Sequence, residues 1–169
     1  MNLTEHFTLE EFIKSDTAKR LGINNEPPMV QQGVLKHTCK YFFEPLRALL
    51  NIKYVGRIVN NKIIKKVIIN ITSGYRCDKL NLKVGGKSNS RHCSGEAGDF
   101  EAVLIFIDNT KLVLDYRTLF NDIRDFTSTG LISVDQCIQE KSGDAKWVHC
   151  SYSIMGADKN RKQFFEINS

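Results

Sequence analysis

The chain has 169 residues, 41% hydrophobic and 25% charged, a composition that is ordinary for a soluble globular protein and fits a single domain over 1–169. Its most apolar segments, such as 67–71 and 103–107, are the length of β-strands, which argues against a transmembrane helix. The net charge of +5 suits an anionic surface such as a bacterial cell wall. Aromatic residues are not interleaved with the basic ones, so we expect no nucleic-acid partner.

The first residues lack the basic start and the apolar core of a signal peptide, so we expect a protein that is made in the cytoplasm. There are five cysteines, an odd number, and no C-x-x-C pair. This pattern favours reduced and mostly buried thiols over disulfides or a cysteine zinc site. We also expect a monomer that does not insert into membranes.

Helix signals dominate the first third of the chain. Thr8 and Glu11 form a capping box, which predicts that a helix begins after Thr8. Pro27-Pro28 opens a second helix, and apolar residues at helical spacing extend it from about 28 to 50. We expect Pro45 to kink or split this helix.

Strand signals come next. Segments 54–59 and 63–71 are rich in β-branched residues and flank Asn60-Asn61, which tolerate the positive φ of a tight hairpin turn. A short helix is expected over 78–84, and Gly85-Gly86 is a signal for its end.

The second half of the chain contains both helix and strand signals. We predict a strand over 97–107, a helix over 112–126 and an edge strand over 164–167. Two further strands, 131–139 and 146–153, are joined by a turn-rich segment. The sequence therefore predicts an α+β fold, in which helices pack on one side of a small antiparallel sheet.

Two histidines and an aspartate form the candidate metal site. His92 and Asp99 are seven residues apart in a glycine-containing loop that leads into a strand, and His149 lies fifty residues further on in the same sheet. Zinc accepts two imidazoles and a carboxylate while keeping a coordination position for water. The pattern thus predicts a Zn2+ site on the antiparallel sheet. The alternative is that these are ordinary surface or hydrogen-bonded core histidines.

Residues 90–99 match the pattern Ser-x-His-x-x-Gly-x-Ala-x-Asp, and 147–149 match Trp-x-His. Together they resemble the D-alanyl-D-alanine carboxypeptidase family of zinc peptidases. This family includes cell-wall carboxypeptidases, vancomycin-resistance dipeptidases and the L-alanyl-D-glutamate endopeptidases of phages. Segment 73–76, Ser-Gly-Tyr-Arg, also looks like a family segment, and 7–18 is similar to the amino-terminal region of a branch that is frequent in phages.

The resemblance implies roles for individual residues. The zinc ligands would be His92, Asp99 and His149. Arg76 would bind the substrate's carboxylate or its polarised carbonyl oxygen, because its guanidinium is planar and permanently charged. The other residues expected to bind substrate are Ser90, Ser94 and Trp147, although both serines are equally suited to stabilising the loop.

The general base is harder to place. Family members often carry an acidic residue three positions before the last histidine, and this chain has Lys146 there. A lysine cannot take a proton from zinc-bound water unless its pKa falls by several units. Our first candidate is Glu140, followed by Asp144 and then Glu101, which shares a strand face with Asp99.

The function implied is hydrolysis of peptidoglycan stem peptides, either by a D,D-carboxypeptidase or by an L-alanyl-D-glutamate endopeptidase. We expect a phage cell-wall lysis enzyme, an endolysin, that is released at lysis or carried in the virion. The alternative is a non-catalytic zinc-binding module of the same fold that binds the cell wall or a protein partner. Thiol hydrolysis by Cys93 or Cys150 is disfavoured, because Cys150 and His149 are adjacent on a strand and point to opposite faces.

Overall fold

The computed structural model describes residues 1–168. The helices of this part of the chain are α1 (Leu9–Ile13), α2 (Asp16–Leu21), α3 (Met29–Thr38), α4 (Glu44–Tyr54), α5 (Asp78–Lys83), α6 (Arg91–Ser94) and α7 (Tyr116–Ser128), with a π-helical segment at Cys39–Phe43 and a 3-10 turn at Ala157–Lys159. The strands are β1 (Ile58–Val59), β2 (Lys62–Ser73), β3 (Ala97–Phe106), β4 (Lys111–Val113), β5 (Gln136–Ser142), β6 (Ala145–Ser151) and β7 (Gln163–Asn168). No helix among these residues is long and apolar enough to cross a membrane.

All the strands belong to one sheet with the order β1-β2-β3-β6-β5-β7, and β4 pairs separately with β3. Every pairing is antiparallel except that of β5 with β7, which is parallel. A single large hydrophobic core lies between one face of the sheet and helices α1, α3, α4 and α7. The predicted α+β fold is confirmed, with one parallel pair at the edge of an otherwise antiparallel sheet.

The capping box at the start of α1 is present as predicted. The Thr8 backbone N–H donates to Glu11 Oε2 at 2.6 Å, and the Glu11 backbone N–H donates to Thr8 Oγ1 at 3.4 Å. These bonds satisfy two backbone donors that a helix start otherwise leaves without partners. They also fix the orientation of Phe12, whose ring packs 5.4 Å from that of Phe43 in the core.

The long helix predicted over 28–50 is present, and a π-helical segment interrupts its α-helical hydrogen bonding just before Pro45. Helix α3 ends at Thr38, the π-helical segment Cys39–Phe43 follows, and α4 begins at Glu44. The Glu44 backbone N–H bonds the Cys39 carbonyl oxygen, five residues earlier, and this π-type shift lies directly before Pro45, which has no N–H to donate. The π-helical segment buries both Phe42 and Phe43 completely.

The hairpin turn at Asn60-Asn61 is also confirmed, with φ values of 50° and 59°. The strand predicted over 54–59 is wrong for most of its length, because Tyr54 is the last residue of α4 and only Ile58–Val59 pairs with β2. The Tyr54 hydroxyl donates to the buried Asp122 at 2.6 Å. This contact holds Tyr54 on the helix against α7.

Two boundaries in the second half differ from prediction. The helix predicted over 112–126 begins at Tyr116, because Asp115 caps it by accepting from two backbone N–H groups at 3.1 Å, while Leu112 lies in β4. The strand predicted from residue 131 begins at Gln136 and continues to Ser142, so the hairpin turn is only two residues long. This second correction places Glu140 inside a strand rather than in a turn.

Candidate metal centre

Sheet register brings Asp99 and His149 together. Asp99 of β3 lies directly opposite His149 of β6, and His149 lies opposite Ile138 of β5. Residues directly opposite each other in antiparallel strands point their side chains to the same face. Along the other edge of β3, Asp99 is paired with Ser73, the last residue of β2. The pairing of β3 with β6 thus brings together residues that are fifty positions apart in sequence.

His92 reaches the same place from a single helical turn, not from the loop that its spacing suggested. Ser90 caps α6 by accepting the His92 backbone N–H at 3.3 Å. Gly95 ends the turn at a φ of 82°, and the chain enters β3 two residues later. A side chain at Gly95 would be strained by this φ and would press against Leu35 Cγ at 3.1 Å. The short helix and its glycine end therefore direct His92 toward Asp99.

The three side chains form a compact triangle of potential ligand atoms. His149 Nδ1 lies 2.8 Å from Asp99 Oδ1, and His92 Nε2 lies 3.2 Å from His149 Nδ1 and 3.3 Å from Asp99 Oδ1. Zinc bonds of about 2.0–2.1 Å in tetrahedral geometry place neighbouring ligand atoms about 3.3 Å apart. The triangle is therefore the right size for one face of a zinc tetrahedron, and these residues could hold a metal ion.

The protonation states around the triangle also suit a metal. His92 Nδ1 lies 2.6 Å from the Gly74 carbonyl oxygen, which can only accept, so Nδ1 donates to it and Nε2 is the ring nitrogen that faces the triangle. Burial acts to raise the pKa of Asp99, but the charge of His92 and hydrogen bonds from His149 and His92 outweigh it and hold that pKa well below its ordinary value. Metal ligands must be deprotonated, and Asp99 meets that condition.

Arg76 holds the second oxygen of Asp99. Its Nη2 donates to Asp99 Oδ2 at 2.7 Å, its Nε donates to Ser73 Oγ at 3.0 Å, and its backbone N–H donates to the His92 carbonyl oxygen at 3.2 Å. The guanidinium has further N–H groups, and the side chain lines the cleft. Arg76 can therefore orient Asp99 and still donate to a bound molecule. No sequence motif predicts a role for Ser73 or for the Gly74 carbonyl, although both lie in the Ser-Gly-Tyr-Arg segment.

Of the acidic candidates, the structure brings only Glu140 into the same cleft as the triangle. Glu140 lies opposite Trp147, and both line the cleft with His149. Burial and then the negative charge of Asp99 raise the pKa of Glu140. Asp144 lies in the exposed hairpin turn outside the cleft, and Glu101 accepts from Asn70 at 2.9 Å beside a separate small pocket.

The remaining predicted site residues divide between the cleft and its surroundings. Ser90 and Trp147 line the cleft. Ser94 instead donates to the Arg91 carbonyl oxygen at 3.0 Å and to Glu96 Oε2 at 2.8 Å, which makes it a structural residue of the α6 turn. Cys150 is fully buried on the core face, opposite to His149. The five cysteines are free thiols, as predicted.

The cleft has a volume of about 940 Å³. Basic side chains outnumber acidic ones along it: Lys14, Arg76, Lys87, Arg91 and Arg161 stand against Asp16, Asp99 and Glu140. Arg91 and Arg161 are paired with Glu96 and Asp135, whose side chains are buried, so it is the guanidinium donors that remain exposed along the cleft. The cleft is therefore suited to an anionic ligand that extends past the triangle.

Most of the chain matches a known protein family. Residues 5–112 match the family described as Peptidase M15. The matched region includes Arg76, His92 and Asp99, whereas His149 and Glu140 lie beyond its end. No curated protein and no solved structure matches the chain. Since the match covers more than half of the sequence, the chain belongs to the peptidase M15 family, a family of zinc-dependent peptidases.

Proposed function

We propose that this protein is a zinc-dependent peptidase that hydrolyses the stem peptides of peptidoglycan. The observation that carries the proposal is the triangle of His92 Nε2, Asp99 Oδ1 and His149 Nδ1 in an open cleft. These three residues would hold the zinc, which would supply a polarised water at neutral pH. Three protein ligands would leave a bound zinc one position for water or substrate, as in catalytic rather than structural zinc sites.

Glu140 is the general base of the proposed mechanism. Its carboxylate would accept a proton from the attacking water and then pass it to the amine of the leaving fragment. Its raised pKa makes the carboxylate a stronger base for the first step, and a pKa nearer to neutral keeps the acid form available for the second. Lys146, at the position where relatives often carry an acid, lies with its ammonium group 5.9 Å from the centre of the Tyr116 ring.

Arg76 would stabilise negative charge on the substrate. Asp99 and Ser73 fix the guanidinium through two hydrogen bonds, so its remaining N–H groups have a defined direction. Donors that are already oriented lose little entropy when a carboxylate or a developing oxyanion binds them. Arg76 would thus orient the metal ligand Asp99 and also donate hydrogen bonds to the substrate.

The substrate follows from the sequence resemblance, and the basic cleft supports it. A stem peptide carries free carboxylates, which complement a cleft with more cations than anions. The bond cut is the carboxy-terminal D-alanine bond or the L-alanyl-D-glutamyl bond. In this proposal the protein acts on the bacterial cell wall as a phage-encoded lysis enzyme, as a monomer and as a single domain.

Digestion of purified peptidoglycan, followed by mass analysis of the fragments, tests this proposal. We expect new amino groups in the presence of zinc and none after treatment with a chelator, and the fragment masses identify the bond. Glu140→Gln should lose activity by at least about a hundredfold while binding zinc normally. Asp144→Asn is the matched control and should keep full activity, since Asp144 lies outside the cleft.

A non-catalytic zinc-binding module is the second candidate. The observation that favours it is Lys146, which occupies the position of the usual acidic residue. Such a module would bind one zinc per chain and would attach to the cell wall or to a protein partner. Stoichiometric zinc with no release of amino groups from peptidoglycan would establish this candidate over the peptidase.

A further inference from the structure

One end of the cleft contains an arginine whose position is fixed by a buried carboxylate. Arg161 Nε donates to Asp135 Oδ1 at 2.7 Å, and Arg161 Nη2 donates to Asp135 Oδ2 at 2.8 Å. The Asp135 side chain is 2% exposed, whereas the Arg161 side chain is 50% exposed and lines the cleft. This pairing uses one edge of the guanidinium. The other edge, formed by Nη1 and the second Nη2 hydrogen, is left to bind a ligand.

A second arginine approaches the same buried carboxylate. Arg91 Nη2 lies 3.9 Å from Asp135 Oδ2, and Arg91 also forms an ion pair with Glu96. Like Arg161, Arg91 lines the cleft and remains partly exposed. Hydrogen bonds from Arg161 lower the pKa of Asp135, so the carboxylate stays charged and the ion pair with Arg161 is maintained. The two guanidinium groups form a preorganised basic end of the cleft.

This basic end lies on the opposite side of the triangle from Glu140. His149 is paired with Ile138, and Gln136, which lines the cleft beside Arg161, precedes Ile138 by two residues on β5. Glu140 follows Ile138 by two residues in the other direction. A strand rises about 3.3 Å per residue, so Gln136 lies about 7 Å along β5 from the row of the triangle. An extended peptide covers that length with about two residues.

We propose that Arg161, oriented by Asp135 and flanked by Arg91, binds a carboxylate of the substrate at this end of the cleft. The inference rests on the proposed function and names its substrate class, a stem peptide with a free α-carboxylate on its glutamyl residue. A planar guanidinium edge pairs with both oxygens of a carboxylate. A carboxamide offers one acceptor and turns an NH2 group toward the second donor, so the site discriminates against amidated peptides.

Two synthetic stem peptides test the inference, one with a glutamyl α-carboxylate and one with the corresponding carboxamide. Calorimetric binding to zinc-supplemented Glu140→Gln protein should favour the carboxylate peptide by about tenfold in Kd. Introducing Arg161→Met should remove this preference by weakening only the carboxylate peptide. In the active protein, Arg161→Met should raise KM for the carboxylate peptide and leave kcat within about twofold, as expected for an interaction made equally in ground and transition states.

Loss of Arg161 leaves Asp135 buried without its main partner, so Arg161→Met can destabilise the fold. The double variant Arg161→Met/Asp135→Asn removes both charges and should fold normally yet still lack the preference, while Arg161→Lys should recover part of it. Arg124→Met is the charge control, because Arg124 lies on α7 and bonds Asn121, outside the cleft. It should keep the full preference.

The outcomes separate this inference from the proposed function. Cleavage of both peptides with equal KM would overturn the carboxylate site and leave the peptidase in place. Preferential binding of the carboxylate peptide without cleavage would support the site and count against the peptidase. Equal binding of the two peptides, binding of neither, or equal weakening of both by Arg161→Met would each overturn the inference.

Discussion

Arg76 and Asp99 share a charge-assisted hydrogen bond of 2.7 Å that involves only one carboxylate oxygen. Oδ2 accepts from Arg76 while Oδ1 faces the two imidazoles. The arginine therefore fixes the carboxylate so that a single oxygen points at the position of the proposed metal. Interactions of this kind orient a ligand before the metal arrives, which reduces the entropy lost on binding.

The first prediction concerns this pair. Arg76→Met should weaken zinc binding by about 10–100-fold, the usual effect of removing a group that orients a metal ligand. Arg76→Lys should have a smaller effect, since it retains a charge but not the planar fork. Competition with a chromogenic chelator measures the affinity. Unchanged zinc affinity in Arg76→Met would show that Arg76 serves the substrate alone.

A second prediction concerns the backbone that supports His92. A Cβ on Gly74 would lie 2.5 Å from the Phe12 carbonyl oxygen and 2.6 Å from Phe12 Cα, both main-chain atoms of α1. Gly74→Ala should therefore destabilise the protein by about 1–3 kcal/mol and displace the carbonyl that orients His92, lowering zinc affinity as well.

Gly33→Ala is the matched control for the Gly74 change. Gly33 lies inside α3, and a Cβ there meets nothing within 4 Å. Alanine is the better helix former, so this variant should gain about 0.5–1 kcal/mol and bind zinc normally. Denaturant titration gives both free energies of unfolding. A Gly74→Ala protein as stable as wild type would contradict the close packing of α1 on this segment.

A third prediction follows from the raised pKa of Glu140. Because burial and Asp99 raise its pKa above the ordinary value of 4.5, the folded protein holds this proton more tightly than the unfolded chain. The free energy of unfolding therefore falls as the pH rises from about 4.5 through the raised pKa, and this loss of stability, the cost of ionising Glu140, is complete above that pKa. Glu140→Gln avoids this cost.

In chelator-treated protein at pH 7, Glu140→Gln should thus melt at a higher temperature than wild type, and the difference should disappear below about pH 4. Melting curves of both proteins across this range give the result. If Glu140→Gln melts at the same temperature as wild type at every pH, burial and Asp99 do not raise the pKa of Glu140.

A fourth prediction distinguishes metal from thiol chemistry. Cys137 and Cys150 are fully buried on the core face, where desolvation raises the pKa of the Cys150 thiol. Burial also raises the pKa of Cys93, the other cysteine next to a candidate ligand. Protonated thiols react slowly, so a thiol-blocking reagent should leave peptidase activity unchanged, whereas a chelator should remove it. Inhibition by the thiol reagent but not by the chelator would support a cysteine nucleophile.

Local signals explain which parts of the fold could be predicted. The capping box at Thr8 and the turn at Asn60-Asn61 depend on a few neighbouring residues, and the structure confirms both, while near Pro45 the helix changes to π-type hydrogen bonding without a break. The start of β5 depends on tertiary pairing, whereas the local cap at Asp115 sets the start of α7. Leu112 has helical spacing with later residues, yet it pairs with Leu104 as a strand because that edge of β3 is available.

The site residues likewise divide into those that a local sequence motif indicates and those that only tertiary pairing brings together. The structure brings together His92, Asp99 and His149, which short motifs singled out, and their role as zinc ligands stays a prediction. Glu140 was the first choice among three acids, but only the register of β5 against β6 puts it in the cleft. Arg161 had no recognisable pattern, because its partner lies twenty-six positions earlier and meets it only when β7 packs beside β5.

The position of zinc in the loaded protein tests the central claim most directly. An anomalous difference map, measured at the zinc absorption edge on crystals of the zinc-loaded protein, should show one strong peak per chain. We predict that this peak lies about 2.0–2.2 Å from His92 Nε2, Asp99 Oδ1 and His149 Nδ1. A peak coordinated by other residues, or no peak from protein saturated with zinc, would contradict the account.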